Sequence, residues 1–332
     1  MFRAPEFWYK KNDTILSRIL YPISLLFRFL SKIYIFLNKT KYSEIPVICI
    51  GNLVVGGAGK TPLALKIGKI LKLSGYIPHF ITRGYSGNIK NNIKVEKFHR
   101  PEEVGDESII LSSVAPTWIG SNRIKSTKNA FKEKADCVIM DDGFQNPTIH
   151  KDFSIIVIDG KQGFGNRRVL PSGPLRESIR RGLDRSNAVI IVGEDKFNIK
   201  KLISNKIPIF NAKFDVSKNE KIFKGKNITA FAGIAYPTKF FDTLEDEGAK
   251  ILKKITFPDH YIYNEEDLLN LVEIANNNKT ILVTTQKDFI RIPENYKSII
   301  HKLEGEIKLE EESLLKEILA NVLENYIFNK SK

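Results

Sequence analysis

Short apolar runs alternate with longer amphipathic segments along most of the chain. The runs that predict strands are 46–50, 77–82, 117–119, 137–140, 153–158 and 188–192. The segments that predict helices between them are 60–73, 107–113 and 121–134. Strands buried on both faces read as continuous apolar runs, and helices between them favour parallel pairing. The pattern therefore predicts an α/β fold with a mostly parallel sheet flanked by helices.

A polar stretch rich in Lys and Gly at 224–227 separates this pattern from a second, smaller one. The later pattern has strands at 228–232 and 280–284 and helices at 237–247, 265–276 and 311–326. We therefore predict three parts: an N-terminal helix region at 1–41, a large domain at 42–225 and a smaller C-terminal α/β domain at 226–332.

The segment 15–37 predicts an amphipathic helix. Its apolar positions recur at three- and four-residue spacing and are Leu16, Leu20, Ile23, Leu26, Leu30, Ile33 and Leu37. The basic residues Arg18, Arg28 and Lys32 fall on the other side. Its longest uncharged run, 19–27, is too short to span a bilayer, which needs about 20 apolar residues.

Two interpretations of this segment stay open at the level of sequence. The helix either packs its apolar stripe into the protein core, or lies in a membrane surface with that stripe in the lipid. In the second case Phe7, Trp8 and Tyr9 belong at the interface between lipid and water.

Composition adds a preference for anionic partners. The 332 residues are 42% apolar and 27% charged, as in ordinary globular proteins, but the net charge is +14. Residues 1–41 carry eight Lys or Arg against two acidic residues. Cys49 and Cys137 lie in apolar runs and are expected to be core residues of a protein in a reducing compartment. No cleavage site follows the N-terminal apolar stretch, so we do not expect a signal peptide.

A glycine-rich loop between a predicted strand and a predicted helix supplies the first candidate chemistry. Its residues are Val54, Val55, Gly56, Gly57, Ala58, Gly59, Lys60 and Thr61. Backbone N–H groups of such a loop surround nucleotide phosphates, the Lys reaches the β/γ oxygens and the Thr holds Mg²⁺. Val54 stands where the usual pattern has its first Gly. A glycine-rich turn without a ligand is the alternative.

Two acidic pairs are the next candidates. Asp141 and Asp142 follow an apolar strand, at the edge of a parallel sheet where the loop also lies, and are expected to bind Mg²⁺. An Asp-Gly turn is the alternative. Asp106 and Glu107 begin a predicted helix, where carboxylates also serve as caps. In a protein that deprotonates a hydroxyl, Asp106 is a candidate base and Glu107 a candidate metal ligand.

Two loops complete the candidates. His260 is the one histidine of five in a polar loop with an acid beside it, and a histidine of that kind can assist a carboxylate base. The segment 163–177 concentrates Gly, Pro and Arg in a long irregular loop, which is usually functional. Its arginines are suited to bind phosphate through two hydrogen bonds.

Together these motifs resemble the tetraacyldisaccharide 4′-kinase family of lipid A biosynthesis. The resemblance runs almost from end to end and rests on GGAGKTP (56–62), TRGY (82–85), GDE (105–107), DDGFQ (141–145), GFGN (163–166), LPSGPLRE (170–177), FPDH (257–260) and TTQKD (284–288). In this family the Val at position 54 is an expected kind of deviation. Asn146, Tyr236 and Gln286 depart from the family's usual His, Asn and Glu, which affects the positioning of the acceptor.

The resemblance implies a P-loop kinase that uses ATP and Mg²⁺ to phosphorylate the 4′-hydroxyl of a tetraacyldisaccharide 1-phosphate. Lys60 and Thr61 then hold the nucleotide and the metal. The further metal ligands are expected among Asp141, Asp142, Glu107 and Glu177. Asp106, supported by His260, takes the hydroxyl proton.

A lipid acceptor also implies a location. The expected partners are the acylated disaccharide and the cytoplasmic face of the inner membrane, to which the protein binds as a peripheral or monotopic monomer. Each methylene taken out of water contributes about 0.8 kcal/mol, so an acceptor with four acyl chains stays in the bilayer.

Two rival functions are weaker. Membrane-associated switch ATPases share the GGxGKT loop, but they carry Lys where this chain has Val55. A nucleic-acid-binding NTPase is suggested by the net charge alone, and neither a zinc finger nor an RNP-like aromatic sheet is present in the sequence. We therefore expect no nucleic-acid partner.

Overall fold

The computed structural model describes residues 5–10, 14–203 and 206–330. The strands within these ranges are β1 (Val47–Gly51), β2 (Pro78–Thr82), β3 (Ile93–Lys94), β4 (Thr117–Ile119), β5 (Cys137–Asp141), β6 (Phe153–Asp159), β7 (Ala188–Val192), β8 (Ile209–Asp215), β9 (Asn227–Ala232), β10 (Lys250–Thr256), β11 (Ile281–Thr285), β12 (Ile300–Leu303) and β13 (Glu306–Leu309). The α-helices are α1 (Ile15–Ile19), α2 (Tyr21–Leu37), α3 (Lys60–Leu73), α4 (Pro101–Val104), α5 (Asp106–Ser112), α6 (Arg123–Lys132), α7 (Ile179–Leu183), α8 (Glu220–Phe223), α9 (Pro237–Asp246), α10 (Glu265–Asn277), α11 (Gln286–Arg291) and α12 (Glu312–Lys330).

Nine strands form the large sheet, in the order β13-β8-β7-β6-β1-β5-β2-β4-β3. Only the edge pairs β13–β8 and β3–β4 are antiparallel, and the remaining pairs are parallel. The central strands β1 and β5 are buried along their whole length, as their apolar sequences predict. The predicted mostly parallel sheet is confirmed, and Cys49 and Cys137 lie in its core.

A second sheet of four strands, in the order β10-β9-β11-β12, is parallel throughout. Helix α9 packs against it through Phe240, Phe241 and Leu244, which are buried in its core. The predicted smaller α/β domain is therefore present.

The predicted range of this domain, 226–332, is too long at its C-terminal end. Strand β13 pairs with β8 in the large sheet. Leu315, Leu319 and Leu323 of α12 are buried in the core of that same sheet. Their four-residue spacing puts them on one helix face, and this face covers the large domain. The chain thus returns to the large domain after β12.

The N-terminal segment differs from the predicted single helix in both continuity and orientation. Helix α1 ends at Ile19 and α2 begins at Tyr21, with Pro22 in its first turn, where the missing N–H of proline is tolerated. Ser17 and Ser24 form the buried side of the pair. The exposed apolar side chains are Ile15, Leu16, Ile19, Tyr21, Ile23, Leu25, Leu26, Phe27, Phe29, Leu30, Ile33, Tyr34, Phe36 and Leu37.

These exposures exclude one of the two interpretations of the apolar stripe, the one in which it packs into the protein core. The stripe faces away from the protein, so the core-packing interpretation is wrong. The two serines attach the helices: Ser17 Oγ donates to the Ser172 carbonyl at 2.7 Å, and Ser24 Oγ donates to the Val169 carbonyl at 2.8 Å. Trp8 is also placed differently from the prediction, since it is buried and its Nε1 donates to the Pro171 carbonyl. No helix in the described ranges is long and apolar enough to cross a bilayer.

Candidate active site

The phosphate loop has the predicted context, since it connects the end of β1 to the start of α3. Gly59 has φ 90° and Gly56 has φ 122°, backbone conformations that side chains other than that of Gly rarely adopt. Val55 N–H donates to the Pro174 carbonyl at 2.9 Å, which fastens the loop to the segment 163–177. The loop is thus held open as a turn at the N-terminus of α3, where anions bind readily.

Thr61 and Asp141 meet beside this loop. Ile50 of β1 is in register with Asp141 of β5, which places the acid next to the start of the loop. Thr61 Oγ1 donates to Asp141 Oδ2 at 2.9 Å, and both side chains are buried. Burial, together with the charges of Glu107 and Asp142, raises the pKa of Asp141 to about 7. Within the described chain Asp141 Oδ1 is buried without a hydrogen-bond partner.

This pair fits Mg²⁺. A hydroxyl and a carboxylate oxygen are the ligands that P-loop enzymes offer to the ion, which takes its remaining ligands from phosphate and water. Asp141 Oδ1 offers a further oxygen at the same place. Among the described residues no three His, Cys, Asp or Glu side chains come together as a metal-binding group. Thr61 and Asp141 thus offer oxygens of the kind that such a site needs.

The other predicted metal ligands are engaged with cations of the protein. Asp142 accepts two hydrogen bonds from Arg176, at 2.8 and 3.2 Å, and lies 3.8 Å from Lys60 Nζ. Although burial opposes it, Lys60 and Arg176 lower the pKa of Asp142 below its ordinary value. Glu177 accepts from Arg185 at 2.5 Å and from Gln145 Nε2 at 3.2 Å.

Lys60 is buried at the base of the loop. Burial lowers its pKa, and the carboxylate of Asp142 opposes this effect. Its Nζ lies 3.5 Å from the Gly56 carbonyl oxygen, so that it points across the hollow of the loop.

Asp106 and His260 come together from the two domains. His260 Nδ1 lies 2.7 Å from Asp106 Oδ2, and Arg291 Nε donates to Asp106 Oδ1 at 2.8 Å. Arg291 Nη2 also forms an ion pair with Oδ2. Burial raises the pKa of Asp106, but the hydrogen bonds from Arg291 and His260 outweigh it and bring the value to about 2. Both carboxylate oxygens are thus occupied, and His260 keeps its Nε2 for another partner.

Glu107 connects this pair to the phosphate loop. It contacts Lys287 of α11 at 2.6 Å. Burial opposes the effect, yet Lys287 and then Lys60 lower the pKa of Glu107 below its ordinary value. The same carboxylate contributes to the raised pKa of Asp141. The acids at 106–107 and 141–142 therefore belong to one electrostatic site, at the edge where the two domains meet.

Apart from Lys60, the basic residues of the site were not assigned individual roles from the sequence. Arg176 lies within a loop singled out for its arginines, and Lys287 lies within TTQKD, but neither partner was foreseen. Arg291 carries no motif signal. Arg123 is buried near the acids and donates to the Thr82 carbonyl at 2.9 Å. Burial, with the charge of Arg83, lowers its pKa to about 10.

Comparisons with known proteins point to one family over most of the chain. The model of the Tetraacyldisaccharide-1-P 4′-kinase family matches residues 16–324. The Tetraacyldisaccharide 4′-kinase of Gluconobacter oxydans is 39% identical over 292 residues, which cover 88% of this chain and 89% of the relative. The Rhodospirillum rubrum protein of the same name is 41% identical over 296 residues, which cover 88% of this chain and 89% of the relative.

One solved structure is similar over nearly the full length. The crystal structure of LpxK from Aquifex aeolicus in complex with ATP superposes with a TM-score of 0.78 at 26% identity. The match covers 93% of this chain and all of the Aquifex chain.

Proposed function

The chain belongs to the tetraacyldisaccharide-1-P 4′-kinase family, and from that premise we propose how its residues carry out the transfer and where. It is an ATP-dependent kinase of lipid A biosynthesis, of the P-loop class. The acceptor, as the relatives' name indicates, is a disaccharide 1-phosphate with four acyl chains. The group phosphorylated is its 4′-hydroxyl.

The observation that carries the proposal is the contact between Asp106 and His260 beside the phosphate loop. Phosphoryl transfer needs the nucleotide, a neutralised charge and an acceptor hydroxyl that loses its proton. The loop 54–61 binds the nucleotide, and Lys60 contributes to neutralising its charge. The Asp106–His260 pair takes the proton from the acceptor hydroxyl. The pair combines a proton acceptor with a partner that orients it.

The occupied carboxylate of Asp106 supports one division of roles within the pair. Arg291 and His260 take both of its oxygens, and its pKa near 2 makes it a poor proton acceptor at neutral pH. We therefore assign the proton to Nε2 of His260, with Asp106 accepting a hydrogen bond from Nδ1–H. The left-handed backbone of His260, φ 60°, and its N–H bond to the Gly233 carbonyl fix the imidazole's position.

Thr61 and Asp141 are the groups that would hold Mg²⁺. The ion neutralises the charge that develops on the transferred phosphoryl group. Arg176, through its two bonds to Asp142, keeps that second carboxylate facing Lys60. Glu107 and Glu177 are held by Lys287 and Arg185, so their contribution to the ion requires those ion pairs to open.

The exposed apolar side of α1 and α2 supports binding to a membrane surface. Contiguous exposed apolar surface of this kind marks an interaction site. An acceptor with four acyl chains resides in a bilayer, and ATP is available on the cytoplasmic side. We propose that α1 and α2 lie in the cytoplasmic leaflet of the inner membrane as a peripheral or monotopic anchor. One chain supplies every group named above, so a monomer suffices.

The test is direct. Purified protein with Mg²⁺ and ATP labelled in the γ-phosphate is expected to label tetraacyldisaccharide 1-phosphate presented in mixed micelles. His260→Ala should abolish that labelling while ATP binding persists. Hydrolysis of ATP without any labelled lipid would overturn the proposed acceptor.

A further inference from the structure

Tyr236 from the smaller domain covers the phosphate loop. It directly precedes α9, and its ring lies on Gly56. A Cβ placed on Gly56 would come within 3.2 Å of the Tyr236 hydroxyl and 3.3 Å of its Cε2. The loop therefore accommodates the ring only because position 56 has no side chain.

A nucleotide whose β/γ oxygens are bound by Lys60 would bring that end of the molecule close to this ring. Lys60, which reaches the β/γ oxygens in P-loop enzymes, points at the Gly56 carbonyl here. The Tyr236 hydroxyl thus lies over the peptide toward which the phosphate-binding lysine is directed. A hydroxyl at that place is a hydrogen-bond donor for an anionic oxygen.

One ion pair holds the start of α9 in this place. Lys239, in the first turn of α9, forms an ion pair with Asp159. Asp159 ends β6 and lines the same cleft as residues 54–58 of the loop. The tyrosine is therefore carried by one domain and pinned to the other.

We propose that Tyr236 is a nucleotide-binding residue, whose hydroxyl donates a hydrogen bond to a β/γ-phosphate oxygen of ATP. The assignment rests on the proposed placement of ATP in the loop 54–61. It adds to the phosphate site a side chain from the smaller domain, outside the loop motif.

The experiment measures ATP affinity by equilibrium titration and kcat and KM by the lipid-labelling assay. A hydrogen bond to a charged group contributes enough that Tyr236→Phe should weaken ATP binding roughly tenfold or more. The KM for the lipid should stay within about twofold, since the contact is to the nucleotide. Tyr42→Phe is the matched control, because Tyr42 is exposed and stacks on His150 away from the loop. Unchanged or tighter ATP binding by Tyr236→Phe overturns the proposal.

Lys60→Ala tests the placement of ATP in the loop 54–61 separately from the role of Tyr236. If Lys60→Ala binds ATP normally, the nucleotide is not held by this loop at all. If only Tyr236→Phe is silent, the loop assignment stands and Tyr236 is not a ligand.

Discussion

His260 Nδ1 lies 2.7 Å from Asp106 Oδ2, so a residue of the smaller domain completes a pair whose other member belongs to the large domain. Asp106 begins α5, and His260 lies in the loop after β10. The proposed proton-accepting pair therefore forms only while the two domains are in contact. This explains why the two motifs stand more than 150 positions apart in the sequence and yet serve one step.

The first prediction concerns this pair. His260→Ala should lower kcat about 100-fold or more, the range typical of a lost general base, with little change in ATP affinity. Asp106→Asn should give a similar loss, because an amide at that place no longer holds the proton on Nδ1. Steady-state kinetics of lipid phosphorylation and direct ATP titration together measure both effects.

Asp215→Asn is the control for this prediction, since Asp215 pairs with Lys308 across the edge strands β8 and β13 and has no contact with His260. It should retain far more activity than Asp106→Asn. If Asp106→Asn lost ATP affinity in proportion to kcat, Asp106 would be a nucleotide ligand and not part of a base.

The second prediction concerns Arg291, which joins Asp106 to Asp288 in the buried contact between the domains. Arg291→Met should destabilise the fold by about 3–5 kcal/mol, because it leaves two buried carboxylates without their cation. Urea denaturation at pH 7 measures the loss. Lys297→Ala, which breaks a more exposed pair with Glu294, should cost less than about 1 kcal/mol. Equal losses from the two variants would contradict the buried-pair argument.

The pair of Asp106 and Arg291 also makes the free energy of unfolding depend on pH in the acidic range. Asp106 has a pKa near 2 in the folded protein against an ordinary value of 3.8, so the folded state favours its charged form. This contribution is complete above about pH 4 and is lost as the pH falls towards 2. In Arg291→Met the carboxylate has lost its main partner, so the contribution of Asp106 to acid unfolding should shrink. Denaturation curves from pH 5 to pH 2 for both proteins test the sign.

Much of the large domain follows from its sequence, because each step there is local. The strand, loop and helix around Gly56–Thr61 each have a clear pattern, and a parallel sheet brings Asp141 to that loop without further information. The same logic could not give the partner of Asp106. Arg291 lies 185 positions away on a six-residue helix, and only the packing of α11 on α5 brings them together.

The orientation of α1 and α2 could not be predicted, because a periodic pattern shows which helix face is apolar but not which face packs against the protein. In α1 and α2 the apolar stripe was correctly located, yet Ser17 and Ser24 are the residues that face the protein. Strand β13 was missed because Glu306 and Lys308 interrupt any apolar run there, and because its pairing with β8 is non-local. Strand β10, rich in Lys, was missed because most of its side chains are exposed at a sheet edge.

The third prediction concerns Asp141 as a ligand for Mg²⁺. Asp141→Asn should lower kcat by about 100-fold or more and shift the activation of the enzyme to higher Mg²⁺ concentration, because a neutral amide is a poorer ligand than a carboxylate. The ligand-free fold should lose little stability, since the variant removes a buried charge whose Oδ1 has no partner in the described chain. A Mg²⁺ titration of activity and a denaturation curve measure the two effects.

Asp136→Asn is the matched control, because Asp136 directly precedes the same strand at its opposite end and accepts a hydrogen bond from Ile77 N–H. It should leave the Mg²⁺ dependence unchanged. A variant at position 141 with normal kcat and normal Mg²⁺ dependence would remove Asp141 from the metal site.

The fourth prediction concerns the anchor. Removing α1 and α2 outright would also strip Ser17 and Ser24 from the loop at 169–172, so single substitutions on the exposed side are the better probe. Leu26→Glu and Phe29→Glu replace side chains that are 55% and 59% exposed and touch the proposed lipid. Full burial of such a side chain contributes about 1.5–3 kcal/mol, so each change should reduce binding to anionic vesicles roughly tenfold or more. Leu73→Glu, at the end of α3 and 87% exposed, should bind vesicles as the wild type does. Activity on acceptor dispersed in detergent should persist in all three variants, because none of these residues contacts the site. Undiminished flotation of the Leu26 and Phe29 variants with vesicles would show that this apolar side covers something other than lipid.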